Sequence, residues 1–113
     1  MKLPRFESAV VEAAKLRDYL LSPSHDRGRF KAAVFASMGY SQRNWRQFEA
    51  DIRAMIAHAD ALPVRSGPHG RKFVVAVRLA GPFGRPRRIR TVWIIRCGES
   101  APRFLTAYPE LQP

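Results

Sequence analysis

The stretch Arg87–Arg96, RRIRTVWIIR, decides how this chain folds. Ile89, Thr91, Trp93 and Ile95 fall on one side of it, and Arg88, Arg90, Val92, Ile94 and Arg96 on the other. A period of two is the mark of a strand, because successive side chains leave the backbone on opposite faces. Before this strand, Lys72–Leu79 alternates in the same way, with Phe73, Val75, Val77 and Leu79 facing one side and Lys72 and Arg78 the other. Gly81-Pro82-Phe83-Gly84 turns the chain between the two. Leu62–Arg65 reads as a further short strand, separated from Lys72 by the turn residues Ser66–Gly70. After the strand, Cys97-Gly98-Glu99-Ser100 turns the chain and Arg103–Tyr108 returns. Short loops between successive strands predict antiparallel hairpins.

Residues before Asp60 follow a helical period instead. The segment 12–21, EAAKLRDYLL, puts Ala13, Leu16, Tyr19 and Leu20 on one face, and Ser22-Pro23 ends it. A second helix is predicted over 26–38, with Phe30, Val34 and Met38 in register, Ala33 beside them and Gly39 as the stop. Ser41 is a good N-cap for a third, whose apolar face is Trp45, Phe48, Ile52, Met55 and Ile56. The expected fold class is α+β: about three N-terminal helices packed on one face of a three- to four-stranded antiparallel β-meander. It is expected to form a single domain over 1–113, with a helical half at about 12–60 and a strand half at about 61–109.

Composition narrows the function classes. With 113 residues, 46 % hydrophobic and 11 % aromatic, the chain is too apolar for a disordered basic tail and long enough for one core. A single cysteine, Cys97, excludes an internal disulfide framework and a thiolate metal cluster within the chain. The longest apolar runs are too short to span a bilayer, and no apolar h-region follows Met1–Phe6. A cytoplasmic location, with no membrane partner, is therefore expected.

The net charge is +11, and its location matters more than its size. Residues 61–113 hold ten basic and two acidic side chains, and no acid occurs between Asp60 and Glu99. Alternation places Arg78, Arg88, Arg90 and Arg96 together on the outer sheet face. Such a surface lacks internal counter-charges and asks for an anionic partner, phosphates above all. A plain basic surface without a specific ligand is the competing reading.

Metal chemistry finds no support in the spacing. His25, His58 and His69 are scattered, and the strand region has no carboxylate cluster. No metal and no cofactor are expected. His25 and Arg29 lie four apart at the start of the second helix, where N–H groups and the helix dipole favour anions, with Lys31 further along. His25 there suits a general base, although Asp26 or Ser24 could cap the helix and leave His25 to pack. Thr91 with Trp93, and Thr106 with Tyr108, offer hydroxyls on neighbouring strands. Hydroxyl, Arg and imidazole groups are what metal-free cleavage of RNA needs: a base for the 2′-hydroxyl, cations for the phosphorane and an acid for the leaving oxygen. Good strand propensity alone also explains these residues.

Several segments resemble an uncharacterised bacterial domain family that occurs as small stand-alone proteins and as the C-terminal domain of toxin-like proteins. They are Leu16–Pro23, the HxxGRxKAxxF pattern of His25–Phe35, Gly39-Tyr40, Asn44-Trp45, Arg90-Thr91-Val92-Trp93 and Thr106-Ala107-Tyr108-Pro109. The order of helices and then a meander ending in Thr-Ala-Tyr-Pro is similar in turn to the barnase–EndoU–colicin–RelE superfamily of ribonuclease toxins. That resemblance implies RNA cleavage through a 2′,3′-cyclic phosphate. It implies catalytic roles for His25, Arg90, Thr91, Thr106 and Tyr108. Arg29, Lys31, Arg78, Arg88 and Arg96 would hold RNA. It also implies an acidic immunity or antitoxin protein as partner. The chain departs from the barnase pattern in lacking a matching carboxylate base. Two other functions fit the same residues: a nucleic-acid-binding module without activity, and a basic adaptor that docks an acidic protein.

Overall fold

The computed structural model describes residues 1–110. The last three residues of the expected 1–113 domain lie outside the described residues. Four strands, β1 (Ala61–Pro63), β2 (Gly70–Leu79), β3 (Arg87–Arg96) and β4 (Arg103–Pro109), form one antiparallel sheet in the order β1-β2-β3-β4. Phe73 lies opposite Trp93, Val75 opposite Thr91, and Thr91 opposite Ala107. Each of these is buried, so one sheet face is core along its whole width. β1 lies slightly earlier than the expected Leu62–Arg65, because Ala61 is the residue that pairs with Val75 and is buried. A bulge breaks the β3–β4 register: Val92 faces Thr106 and Trp93 faces Phe104, leaving Leu105 as the extra residue.

The helices cover that face. The expected helix over 12–21 is a short α1 (Ala13–Lys15) running into a π turn (Leu16–Leu20). The Leu21 N–H donates to the Leu16 carbonyl at 2.8 Å, a five-residue closure. α spacing would place Leu16 and Leu21 on different sides; the wider turn lets Leu16, Leu20 and Leu21 all reach the core.

The second helix, α2 (Arg29–Ser37), starts three residues later than the sequence suggests. Its buried positions are Ala32 and Phe35, followed by Met38 just beyond its end. The expected stripe of Phe30 and Val34 is corrected: Phe30 is 71 % exposed and lies under the Arg29 guanidinium, 4.9 Å from its ring centroid. Phe35 sets the rotation by packing on Phe48, centroids 4.9 Å apart. A 3-10 turn (Gln42–Asn44) leads into α3 (Trp45–Ile56). Ser41 lies at its start, its N–H donating to Asn44 Oδ1 at 2.7 Å. Phe48, Ile52 and Ile56 are buried as the spacing predicts, with Trp45 and Met55 partly so. No helix among the described residues is long and apolar enough to cross a membrane.

Candidate active site

Three elements bring polar groups together at β4, the edge strand. The π turn supplies Tyr19, α2 supplies Lys31 and β4 supplies Thr106. Lys31 Nζ donates to the Tyr19 phenol oxygen at 2.8 Å and to Thr106 Oγ1 at 3.2 Å. The Tyr19 and Thr106 oxygens are themselves 3.2 Å apart, which closes a triangle. Burial alone would push the Tyr19 phenol up. The hydrogen bonds from Lys31 and Thr106, with the charges of Lys31 and Lys15, outweigh it and hold the phenol below its ordinary value.

His25 completes the group. Its ring meets that of Tyr19 edge to face, centroids 5.0 Å apart. Its Nδ1 accepts the N–H groups of Arg27 at 3.0 Å and Gly28 at 3.2 Å. This turn delays α2, whose N-cap is Gly28; neither Asp26 nor Ser24 caps the helix, and the imidazole instead receives the N–H groups of the turn that leads into it. With Nδ1 accepting, the ring proton sits on Nε2, which has no hydrogen-bond partner among the described residues. Gly28 is required by close approach, since a Cβ there would stand 2.0 Å from the Tyr19 carbonyl oxygen. Lys15, Tyr19, His25, Arg27 and Leu105 line a cleft of 350 Å³.

Further along β4, Tyr108 lies directly opposite Arg90. Thr106 and Tyr108 flank the buried Ala107, so they share the other sheet face about 7 Å apart. Arg90 Nη2 donates to Glu110 Oε1 at 3.0 Å, and Arg88 Nε donates to Glu110 Oε2. A second small cleft of 320 Å³ lies between Arg90, Tyr108, Pro109 and Glu110.

The residues singled out from the sequence thus separate into groups. Lys31 and Thr106 converge on the Tyr19 phenol, His25 meets the Tyr19 ring, and Arg90 with Tyr108 continues the row of Thr106 along the sheet. Thr91 is fully buried in the core, donating to the Val75 carbonyl at 2.8 Å and accepting from Trp93 Nε1 at 2.8 Å. Arg29 does not join His25. It stands 3.8 Å from Asp26 and lines a different groove with Leu21, Ala32 and Tyr40. Arg78 faces Arg88 across β2 and β3, whereas Arg96 faces Gly70 at the far end of the sheet, six residues and about 20 Å from Arg90. Tyr19 is the chemical group that sequence reasoning missed. It sits in the apolar stripe of its segment, and nothing local separates it from Leu16 and Leu20 except its hydroxyl.

Fold and site together define a small α+β domain with a cationic, hydroxyl-bearing cleft at the edge strand of an antiparallel sheet. The chain belongs to the DUF6883 family, a domain of unknown function, whose model matches residues 2–111. Among solved structures, it is similar to a chain of the contact-dependent growth inhibition toxin–immunity protein complex from Klebsiella pneumoniae 342. The match has 18 % identity and a TM-score of 0.72, and covers 95 % of this chain and 97 % of that one. At that identity the likeness is one of fold. No curated protein matches the chain.

Proposed function

We propose that the chain is a metal-independent endoribonuclease domain of a toxin system, and that its reactive phosphate binds at the Lys31–Tyr19–Thr106 triangle. That triangle is the observation that carries the reading: a phenol oxygen hydrogen-bonded to both an ammonium and a hydroxyl. In the reaction, the Tyr19 oxygen takes the proton of a ribose 2′-hydroxyl, and the 2′-oxygen attacks the adjacent phosphorus. Lys31 stabilises the charge of the phosphorane, and Thr106 with His25 Nε2–H donates to its oxygens. The bond to the 5′-oxygen breaks as Tyr108 returns a proton to it, leaving a 2′,3′-cyclic phosphate. Arg90 holds the substrate backbone. Thr91, enclosed in the core, supports the sheet and takes no part.

The likeness in fold to a chain of a toxin–immunity complex supports the toxin context, in which an acidic immunity protein would be the partner. The acid-free stretch between Asp60 and Glu99 favours a second reading, RNA binding without cleavage. Incubation of total RNA with the protein in EDTA separates the two. Fragmentation by the wild type that is lost in Lys31→Met supports the nuclease. Salt-dependent binding with intact RNA supports the binding module and overturns the nuclease.

A further inference from the structure

The outer face of the sheet gathers arginines at one end. Arg88 and Arg90 lie two residues apart on β3, so both side chains leave the same face. Arg78 stands directly opposite Arg88 and has no ion-pair partner among the described residues. Like charges placed opposite one another repel, so such a cluster holds together best around an anion. In this structure the anion is the chain's own Glu110. One carboxylate oxygen takes Arg88 and the other takes Arg90, and the Glu110 N–H donates to the Arg88 carbonyl at 2.9 Å. These two arginines hold the Glu110 carboxyl below its ordinary range, Arg88 contributing most.

A carboxylate bridging two guanidiniums has the charge of a phosphodiester and offers the same pair of acceptor oxygens. Tyr108 and Pro109 line the same cleft and give a flat surface on which a base can stack. Tyr108 is two residues from Thr106 on the same face, so this position lies beside the one assigned to the reacting phosphate. We propose that Arg88 and Arg90 form a phosphate subsite for single-stranded RNA, which Glu110 occupies in the free protein and yields to the nucleic acid on binding. The inference rests on the proposed RNA-directed function and adds to it a self-occupied subsite that restrains affinity.

The test measures binding of a fluorescent oligothymidylate of about ten nucleotides, which lacks the 2′-hydroxyl and so reads the subsite independently of cleavage. Glu110→Gln is compared with Glu99→Gln, which makes the same charge change on a carboxylate paired with Arg103. Glu110→Gln is expected to tighten binding about tenfold and to steepen the log–log salt slope by about one half to one. Glu99→Gln is expected to tighten it less than twofold. The gain should vanish in Glu110→Gln/Arg90→Ala. Thermal unfolding checks folding in each variant, and these exposed pairs contribute little to stability. Equal effects of the two Glu→Gln changes overturn the proposal, even if the protein cleaves RNA. Tightening confined to Glu110→Gln, with RNA left intact, supports the subsite while overturning the nuclease. Failure of every variant to bind overturns the subsite, whatever the protein does to RNA.

Discussion

The Lys31 ammonium donates to the Tyr19 phenol oxygen at 2.8 Å, across twelve residues of sequence, and the same ammonium reaches Thr106 on the edge strand. This contact opposes the effect of burial and lowers the Tyr19 pKa. A base works when deprotonated, so cleavage should rise with pH towards an inflection below the ordinary tyrosine value of about 10. In Lys31→Met burial is no longer opposed by that charge. The residual rate should fall, and its inflection should move above that of the wild type. A pH–rate profile of both proteins checks this.

Gly28 lies against the Tyr19 backbone, where a Cβ would meet the carbonyl oxygen at 2.0 Å. Gly28→Ala should therefore push the His25 turn away from the π turn. The expected cost is roughly 2–3 kcal/mol of stability, read as a fall in Tm by thermal unfolding. Cleavage should drop as well at temperatures where the variant remains folded, because Tyr19 and His25 move apart.

Thr91 offers a contrast. Its hydroxyl links Trp93 to the Val75 carbonyl inside the core. Thr91→Val keeps the shape and removes both hydrogen bonds, leaving buried polar groups without partners. It should cost about 1–3 kcal/mol. Chemical denaturation measures that loss, while the cleavage rate of folded protein should stay within about twofold of wild type, a difference of under 0.5 kcal/mol in barrier.

Tyr40 predicts an alkaline weakness. Burial, together with its hydrogen bond to Asp51 Oδ2 at 2.5 Å, raises its phenol well above the usual value. The unfolded chain releases this proton first. The contribution of Tyr40 to stability is thus complete below pH of about 10 and is lost as pH rises beyond it. Tyr40→Phe should cost about 1 kcal/mol at neutral pH and flatten the decline in stability above pH of about 10, as followed by denaturant titration across that range.

The strand half was legible because alternation is a local signal, and each strand has one buried face. RRIRTVWIIR forms β3 with the bounds its pattern implies, and the inward residues of Lys72–Leu79 are all buried. The helical half was harder. α2 rotates to bring Phe35 onto Phe48, and the π turn serves Leu21 as well as Leu16; both are long-range packing effects that no window of sequence contains. The same limit hid the site. Tyr19 and Lys31 become partners only because two elements cross at Thr106, and spacing paired His25 with Arg29 instead. Ile94 shows the converse: its alternation places it on the outer face, yet it is 6 % exposed, beside the Arg65–Gly70 loop.

In the proposed reaction Tyr19 withdraws a 2′-hydroxyl proton in a cleft that needs no metal. The most direct measurement uses an oligodeoxynucleotide carrying a single ribonucleotide, incubated in EDTA with wild type and with Tyr19→Phe. The proposed reaction gives one cut, on the 3′ side of the ribonucleotide, a 2′,3′-cyclic phosphate end, and a rate at least about 100-fold lower in Tyr19→Phe. An uncut oligonucleotide, cuts at deoxy positions, or an unchanged rate in Tyr19→Phe would contradict it.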